Sequence, residues 1–462
     1  MSIAVLLLAA GAGTRMKSEV PKVLHPVGGK PLISYPLDLC RRLRVTPIVL
    51  VIGKKNGAVR KGVSDLGPGR VTFAVQDSPL GTAHAVQMGL KALKNFNGDV
   101  LILCGDMPLL KKSTLENLIR THREKNAVLT FVTAVLPDPF GYGRVLRTSR
   151  GEPCAIVEEK DADEDQRKIA EINTGVYLIN GPFLKEKLKQ IENKNIKREY
   201  YLTDLVGLAF HEQKTLATVT VADPADGLGV NTQEDLTCVS RWINRERVKL
   251  LMAEGVRFSG FENVVIDAGV RIGAGTLVEA PVSLRGKTVI GKHCLVEPGS
   301  MIKDSVLDDF VTIKASSYIE KSRIEKGATI GPFAHLRSKA RIGPGAKVGN
   351  FVEVKKSKIG KGSKANHLSY IGDALIGKGV NVGAGTITCN YDGFNKYKTV
   401  LEDDVFVGSD TQFVAPVRIG RGAVIGAGST ITKNVKPRSL ALTRPPQVEI
   451  KNWAKKQRKK KK

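Results

Sequence analysis

The sequence predicts an α/β protein in two parts: a mostly parallel sheet covered by helices, then a parallel β-helix. Three observations predict it. Up to about Val230, continuous apolar runs of strand length alternate with amphipathic stretches. From Ile266 onward, aliphatic residues recur every six positions, a period that belongs neither to a helix nor to a flat strand. The chain of 462 residues is long enough for two or three domains, and its 47 glycines exceed the average of about 7%.

In the first part the strands read as Ile3–Ala10, Pro47–Gly53, Val71–Gln76 and Asp99–Asp106, all taken as buried on both faces. Helical patterns lie between or after them, at residues 81–96 and 112–126. In such sheets ligands bind at the carboxyl ends of the strands, where Gly11–Arg15 and Gly105–Asp106 both fall. Residues 231–253 read as a helix capped by Asn231 or Thr232, with Leu236, Val239 and Ile243 on one face. We expect it to link a first domain, 1–230, to a second, 254–450, followed by a basic tail, 451–462.

The six-residue series runs Ile266, Ile272, Val278, Leu284, Ile290, Val296 and Ile302. Five-residue steps precede Leu307–Ile319 and Ile324–Val354, and a last series runs from Leu401 to Ile431. A hexapeptide unit is one short strand plus a tight turn, and three units complete a coil with the aliphatic residue inward. The rhythm lapses around His367. It is interrupted again by "CNYDGFNKYKT", residues 389–399, read as a protruding binding loop of two extra repeat lengths.

The net charge is +27, which favours anionic partners. Part of it is the end of the chain, "WAKKQRKKKK", read as a solvated, disordered tail. Nucleic-acid or membrane binding is the alternative, without aromatic interleaving to support base stacking. The six cysteines have no C-x-x-C or zinc spacing, no apolar run reaches the roughly 20 residues of a membrane span, and the N-terminus has no signal-peptide pattern. A cytoplasmic protein with no membrane insertion is expected.

The loop after the first strand, "LAAGAGTRM", is neither a dinucleotide fingerprint, since Met16 stands at the third glycine position, nor a Walker A loop. Its backbone donors, Arg15 and Lys22 suit a triphosphate whose departing pyrophosphate needs neutralising. A plain glycine turn with a surface arginine is the alternative. Asp106 ends a strand where a carboxylate can hold Mg2+, or simply cap a turn. His25 and His122 read as structural.

Nine segments settle the context: "LAAGAGTRM", "PKVLHPVGGKPL", "LGTAHAV", "GDMPL", "GYGRV", "IVEEKDA", "EINTGVY", "YYLTD" and "GVNTQEDL" occur in this order. Together with the hexapeptide half they closely resemble the bacterial bifunctional N-acetylglucosamine-1-phosphate uridylyltransferase / glucosamine-1-phosphate acetyltransferase family, over nearly the whole chain. The resemblance implies a Rossmann-like nucleotidyltransferase domain and a left-handed β-helix. It places Leu8, Ala9, Ala10 and Gly11 along the uridine nucleotide, with Arg15 and Lys22 catalytic on the triphosphate. Gln76, Gly81 and Thr82 would read the uracil. Cys104 and Gly105 would lie near the ribose or sugar, Asp106 and Asn231 would bind Mg2+, and Gly143, Glu158 and Asn173 would hold N-acetylglucosamine. Ala12 and Pro79 depart from the family pattern at positions that bear on nucleotide affinity more than on reaction type; "GFENVVID", residues 260–267, departs from the acidic-proline signature that opens the family's β-helix, which implies an atypical first coil with no consequence for either site.

In "NFVEVKKSKIGKGSKANHLSYIGDALIGKGVNVGAGTITCNYDG", the resemblance makes His367 the general base, supported by Glu353. Arg337 and Lys355 would take the sugar phosphate, and Tyr370, Asn381, Asn390 and Tyr391 would contact the sugar. Acetyl-coenzyme A would lie along Ala384, Asn390, Tyr391, Ser409, Ala427 and Arg444. The implied substrates are UTP, glucosamine 1-phosphate, N-acetylglucosamine 1-phosphate and acetyl-coenzyme A; a homotrimer is implied, and no nucleic acid. A nucleotidyltransferase with an assembly-only β-helix, and a non-catalytic paralogue, are the competing readings.

Overall fold

The computed structural model describes residues 2–11, 13–54, 57–66 and 71–454. Ala12 and most of the basic tail lie outside the described residues. The chain divides into two compact units, Met1–Ile243 and Asn244–Lys462.

The first unit is a nine-stranded sheet. Its main strands are β1 Ile3–Ala9, β2 Ile48–Gly53, β3 Val71–Gln76, β4 Asp99–Cys104, β5 Leu129–Val135, β6 Glu171–Ile179 and β7 Leu216–Thr220. They run in the order β7-β5-β6-β4-β1-β2-β3. Strands β3, β2, β1 and β4 are mutually parallel, and β6 runs antiparallel to both β4 and β5. A short antiparallel pair, Arg144–Arg147 with Pro153–Val157, hangs from β6. Apolar side chains of β1, β2 and β4 are buried on both faces because helices cover both. Strand β3 departs from that expectation: it is the edge, so Thr72 and Val75 are exposed. The helix after it ends at Lys91, short of residue 96. Leu8 pairs with Cys104, so the loops that follow β1 and β4 emerge side by side.

The helix Gln233–Ala253 is capped by Thr232, whose hydroxyl accepts from the Asp235 amide (3.1 Å) while the Asp235 carboxylate accepts from the amides of Asn231 and Thr232. The division between the units, after Ile243, falls within it. Leu236, Val239, Trp242 and Ile243 pack with Met16, Val27 and Leu32 of the first unit. Val248 and Leu251 join the core of the second, and Asn244 bonds Val264 and Ile266 at the β-helix end.

The second unit winds through three parallel sheets of eleven, ten and nine strands, the left-handed β-helix of hexapeptide repeats. Its first face starts at Arg257–Ser259, its second at Val264–Ile266 and its third at Arg271–Ile272. Successive coils repeat every seventeen or eighteen residues in most pairs, as in Ile330 with Val348 and Val348 with Ala365. Every aliphatic residue of the series, from Ile266 to Ile431, is buried in one continuous core. The atypical first coil carries a short helical turn, Phe261–Asn263, between its first two strands.

Two expectations are corrected here. The rhythm does not lapse near His367: Ile359, Ala365, Ile371, Ile376 and Val382 keep the inward positions, and buried Thr388 takes the next. Thr388 is tolerated because its hydroxyl accepts from the Gly372 amide (2.8 Å). The excursion also adds less than two repeats. Tyr370 pairs with Ile387, seventeen residues on, and Ala374 with Thr399, twenty-five on, an excess of eight. The five-residue steps and this excursion all fall at the corner between the second and third faces, so this corner absorbs length without disturbing the stack.

Candidate active sites

In the first unit, a cavity of about 490 Å³ opens at the carboxyl ends of β1 and β4. Leu8, Ala9, Ala10, Gly11, Lys22, Gln76, Gly81, Thr82, Cys104 and Asp106 all line it, as do Pro79 and three residues the sequence reading did not single out, Val23, Ala85 and Glu199. The cationic and metal-binding candidates converge. Lys22 pairs with Asp106 and reaches Asn231 Oδ1 (3.2 Å), which also accepts from Arg15 Nη2 (2.9 Å). These four side chains come from three separated loops and form one charged cluster.

Among the uracil candidates, Gln76 donates to the Gly81 carbonyl (3.1 Å) and bonds His84. Gly81 has φ +111, and a Cβ there would lie 2.5 Å from the Tyr200 carbonyl, so only glycine fits. The backbone bonds Tyr200 to Leu80 and Ala83 to Tyr200, and the Leu202 amide donates to Thr82 Oγ1 (3.0 Å). The "YYLTD" segment is therefore the clasp that holds the Leu80–Ala83 turn.

The sugar-side candidates form a second group. Asn173 donates its amide to the Gly143 carbonyl (2.9 Å) and its carboxamide to the Tyr177 hydroxyl (2.6 Å). Thr203 Oγ1 donates to Glu158 Oε1 at the long distance of 3.4 Å. Burial raises the Glu158 carboxyl above the usual range, with Lys197 opposing. Burial, then Asp106, pushes the Cys104 thiol up to about 12, so it stays protonated and acts as wall rather than nucleophile. Gly105 is set back from the cavity; its amide donates to the Leu8 carbonyl (2.8 Å) and ties the two strand ends together. His25 and His122 are buried and bonded, to the Val20 carbonyl and to Thr130, as structural histidines.

In the second unit the candidates fall into columns. Asn350, His367, Ala384, Ser409 and Ala427 each stand two residues after an inward residue: Val348, Ala365, Val382, Val407 and Ile425. Each precedes a corner residue of left-handed backbone: Phe351, Leu368, Gly385, Asp410 and Gly428. Of the acetyl-coenzyme A candidates, Ala384, Ser409 and Ala427 thus form one continuous edge running away from His367, while Asn390 and Tyr391 lie off it. Arg444 closes it, with Nη1 donating to the Ala427 carbonyl (2.9 Å).

The neighbouring second face carries the sugar candidates. Arg337 pairs in register with Lys355, and Glu353 with Tyr370. Asn390, buried, donates to Asp373 (2.6 Å) and also bonds Tyr370, whose hydroxyl burial shifts upward. Tyr391 is exposed on the excursion and bridges to Lys396. That excursion is turned back by Asp392, whose carboxylate accepts from the amides of Phe394 and Asn395. It returns Lys396 to Lys355, whose ammonium is driven below its ordinary range by Lys396 first, then by desolvation and Arg337. Three cations therefore converge, one of them missed in the sequence because it sits in a loop of no fixed register.

Two candidates are placed differently from their assumed partners. Glu353 is engaged by Arg337, from Nε at 2.7 Å and Nη2 at 2.6 Å, and the residue that touches the His367 ring is Asn350. Asn381 stands on the first face, in register with Lys364 and Phe406, not on the face of Tyr370.

Comparison with known proteins matches both units. Residues 4–224 match the nucleotidyl transferase family, and residues 321–356 and 398–433 match the bacterial transferase hexapeptide (six repeats) family. The chain is 46% identical over 455 residues to a bifunctional protein GlmU from Geotalea uraniireducens, with 98% of each chain covered. It is 48% identical over 451 residues to one from Syntrophotalea carbinolica, covering 98% of this chain and 96% of that one. For one from Geobacter sulfurreducens the identity is 43% over 469 residues, covering 98% of each.

Proposed function

The chain belongs to the GlmU family of bifunctional proteins and is a bifunctional enzyme of UDP-N-acetylglucosamine synthesis, and from that premise we propose how its residues divide the work. The second unit acetylates glucosamine 1-phosphate from acetyl-coenzyme A; the first then transfers uridylyl from UTP to the N-acetylated product. The product feeds peptidoglycan and lipopolysaccharide precursor synthesis. One observation carries this division: each unit holds its own convergent set of cations beside groups suited to a different reaction.

In the first unit, the substrate phosphate oxygen attacks the α-phosphorus in line, and the bond to pyrophosphate breaks. The attacking oxygen is already anionic, so positioning and charge neutralisation suffice without a general base. Arg15 and Lys22 neutralise the departing group. Gln76, Gly81 and Thr82 hold the uracil, and Gly143, Glu158 and Asn173 hold the sugar. The Asp106 carboxylate and Asn231 carboxamide oxygen meet at one point, on Lys22. No group of three or more His, Cys, Asp or Glu among the described residues is arranged to hold a metal ion. One carboxylate and one amide oxygen suit Mg2+, which keeps phosphates and waters as its remaining ligands. When bound, Mg2+ supplies charge neutralisation on the triphosphate.

In the second unit, His367 removes the proton from the amine, the nitrogen attacks the thioester carbonyl, and the carbon–sulfur bond breaks with departure of the coenzyme thiolate. Arg337, Lys355 and Lys396 take the sugar phosphate, and Tyr370 and Asn390 the sugar. The edge Ala384, Ser409, Ala427 and Arg444 receives the coenzyme; the small side chains leave room and Arg444 meets phosphate. Asn381, on the neighbouring face, fits a contact to a second copy's sugar, in keeping with a homotrimer. No helix among the described residues is long and apolar enough to cross a membrane, and we place the enzyme in the cytoplasm.

The test supplies glucosamine 1-phosphate, acetyl-coenzyme A, UTP and Mg2+, and follows free thiol and pyrophosphate separately. Both should be released, with pyrophosphate lagging thiol. Release of either one alone reduces the protein to a single activity.

A further inference from the structure

We infer that Asn350 is the positioning residue that sets the tautomer and orientation of the His367 ring, a step further on the reading of His367 as base. The two residues pair in register across adjacent coils, and Asn350 Oδ1 lies 2.8 Å from His367 Nδ1. A carboxamide oxygen only accepts, so Nδ1 carries the hydrogen and Nε2 keeps the lone pair. The nitrogen that must take the amine's proton is thus the one left without a partner. On the other side of the ring the same column continues with Ala384, whose methyl leaves the space in which a thioester can lie.

The alternative orienting group is absent from the ring. Glu353 is held by two nitrogens of Arg337, and Ser369 Oγ donates to the His367 carbonyl, not the imidazole. Asn350 is the ring's one hydrogen-bond partner among the described residues. The backbone is shaped for this contact. A Cβ on Gly349 would lie 2.0 Å from the Asn366 carbonyl oxygen, so the two coils approach too closely for any other residue beside Asn350. Phe351, immediately after, takes left-handed backbone at φ +56 to turn the corner, as Leu368 does after His367. Asn350 and His367 are therefore presented from equivalent points of successive corners.

The experiment measures acetyl transfer and uridylyl transfer on the same full-length chain, with the second as the check on folding. Asn350→Ala should lower acetyl-transfer kcat about 10- to 100-fold, the range for an orienting partner, with KM for glucosamine 1-phosphate and uridylyl transfer unchanged. Asn350→Asp keeps an acceptor at Nδ1 and should recover most of that loss. It should also move the acid limb of the acetyl-transfer profile to higher pH, because a carboxylate favours the imidazolium. The fixed charges on the adjoining face, Glu353, Arg337 and Lys355, are the same in both variants. Wild-type kcat in Asn350→Ala overturns the assignment. So does an Asn350→Asp enzyme no better than Asn350→Ala with an unmoved profile, which marks a merely structural residue. A His367→Ala enzyme that still acetylates at full rate removes the base reading itself, which separates that failure from this one.

Discussion

The two units assemble their sites by different means. In the first, Arg15 and Lys22 from one loop meet Asp106 and Asn231 from two others, across separations of 84 to 216 residues. In the second, Asn350 and His367 are seventeen residues apart, and Arg337 and Glu353 sixteen. One site depends on a whole sheet topology; the other depends on the repeat length of a coil. A charged cluster made by convergent loops is tied together by its own opposite charges, as the Lys22–Asp106 pair shows. A column of side chains on a β-helix is held by the ladder beneath it and needs no contact between the functional groups themselves.

The largest expected effects separate the two sites. His367→Ala should cut acetyl transfer by about 10²- to 10⁴-fold, the usual contribution of a general base, and leave uridylyl transfer intact. Asp106→Ala should do the converse, lowering uridylyl transfer by about 10²- to 10³-fold, comparable to losing one preorganised charge-stabilising group. Steady-state assays of thiol and pyrophosphate read both; loss of both activities in either variant would break the independence of the sites.

A stability change comes next. Ile342 is fully buried in the stacked core, and Ile342→Ala should cost about 2–5 kcal/mol. Because the cores are separate clusters, calorimetry should show the β-helix transition moving and that of the first unit staying in place. Joint movement would show the units to be one cooperative system.

Lys396→Ala should raise KM for glucosamine 1-phosphate by about tenfold, or about 1.4 kcal/mol, with kcat nearly unchanged, since it removes one of three cations without touching His367. The smallest effect tests the clasp of the first site. Burial and the neighbouring Asp161 push the Asp204 carboxyl up to about 6. A carboxyl raised in the folded state binds more protons there than in the unfolded chain, so stability should fall as pH rises from about 4 to about 6. Asp204→Asn should flatten that slope in melting temperatures measured across the window; an unchanged slope would assign it to other groups.

Much of the second site was legible because a period of six fixes which residues point inward and which stand at corners. Ala384, Ser409 and Ala427 share a column with His367 by that arithmetic alone. The misreadings also have a cause. Ala365 and Thr388 hold inward positions without being large aliphatics, so the coil seemed to lapse where it continues. Asn350, in "VGNF", reads as an ordinary turn residue; nothing local marks its partner a full coil later. Lys396 could not be placed because an excursion has no register until it folds back. In the first unit, Thr203 stands inside "YYLTD" and Glu199 just before it, but their neighbours, Glu158 and the cavity at the strand ends, are reached only once that segment has folded back.

What the sequence determined by itself is the two-part architecture, its inward residues and the inventory of reactive groups, because periodicity and motif order are local properties of the chain. What the tertiary structure decided is which groups touch. Lys22 meets Asp106, Arg337 takes Glu353, and Asn350 rather than Glu353 reaches His367. Contacts of a few ångströms depend on coil stacking and loop closure, and no spacing along the chain encodes them.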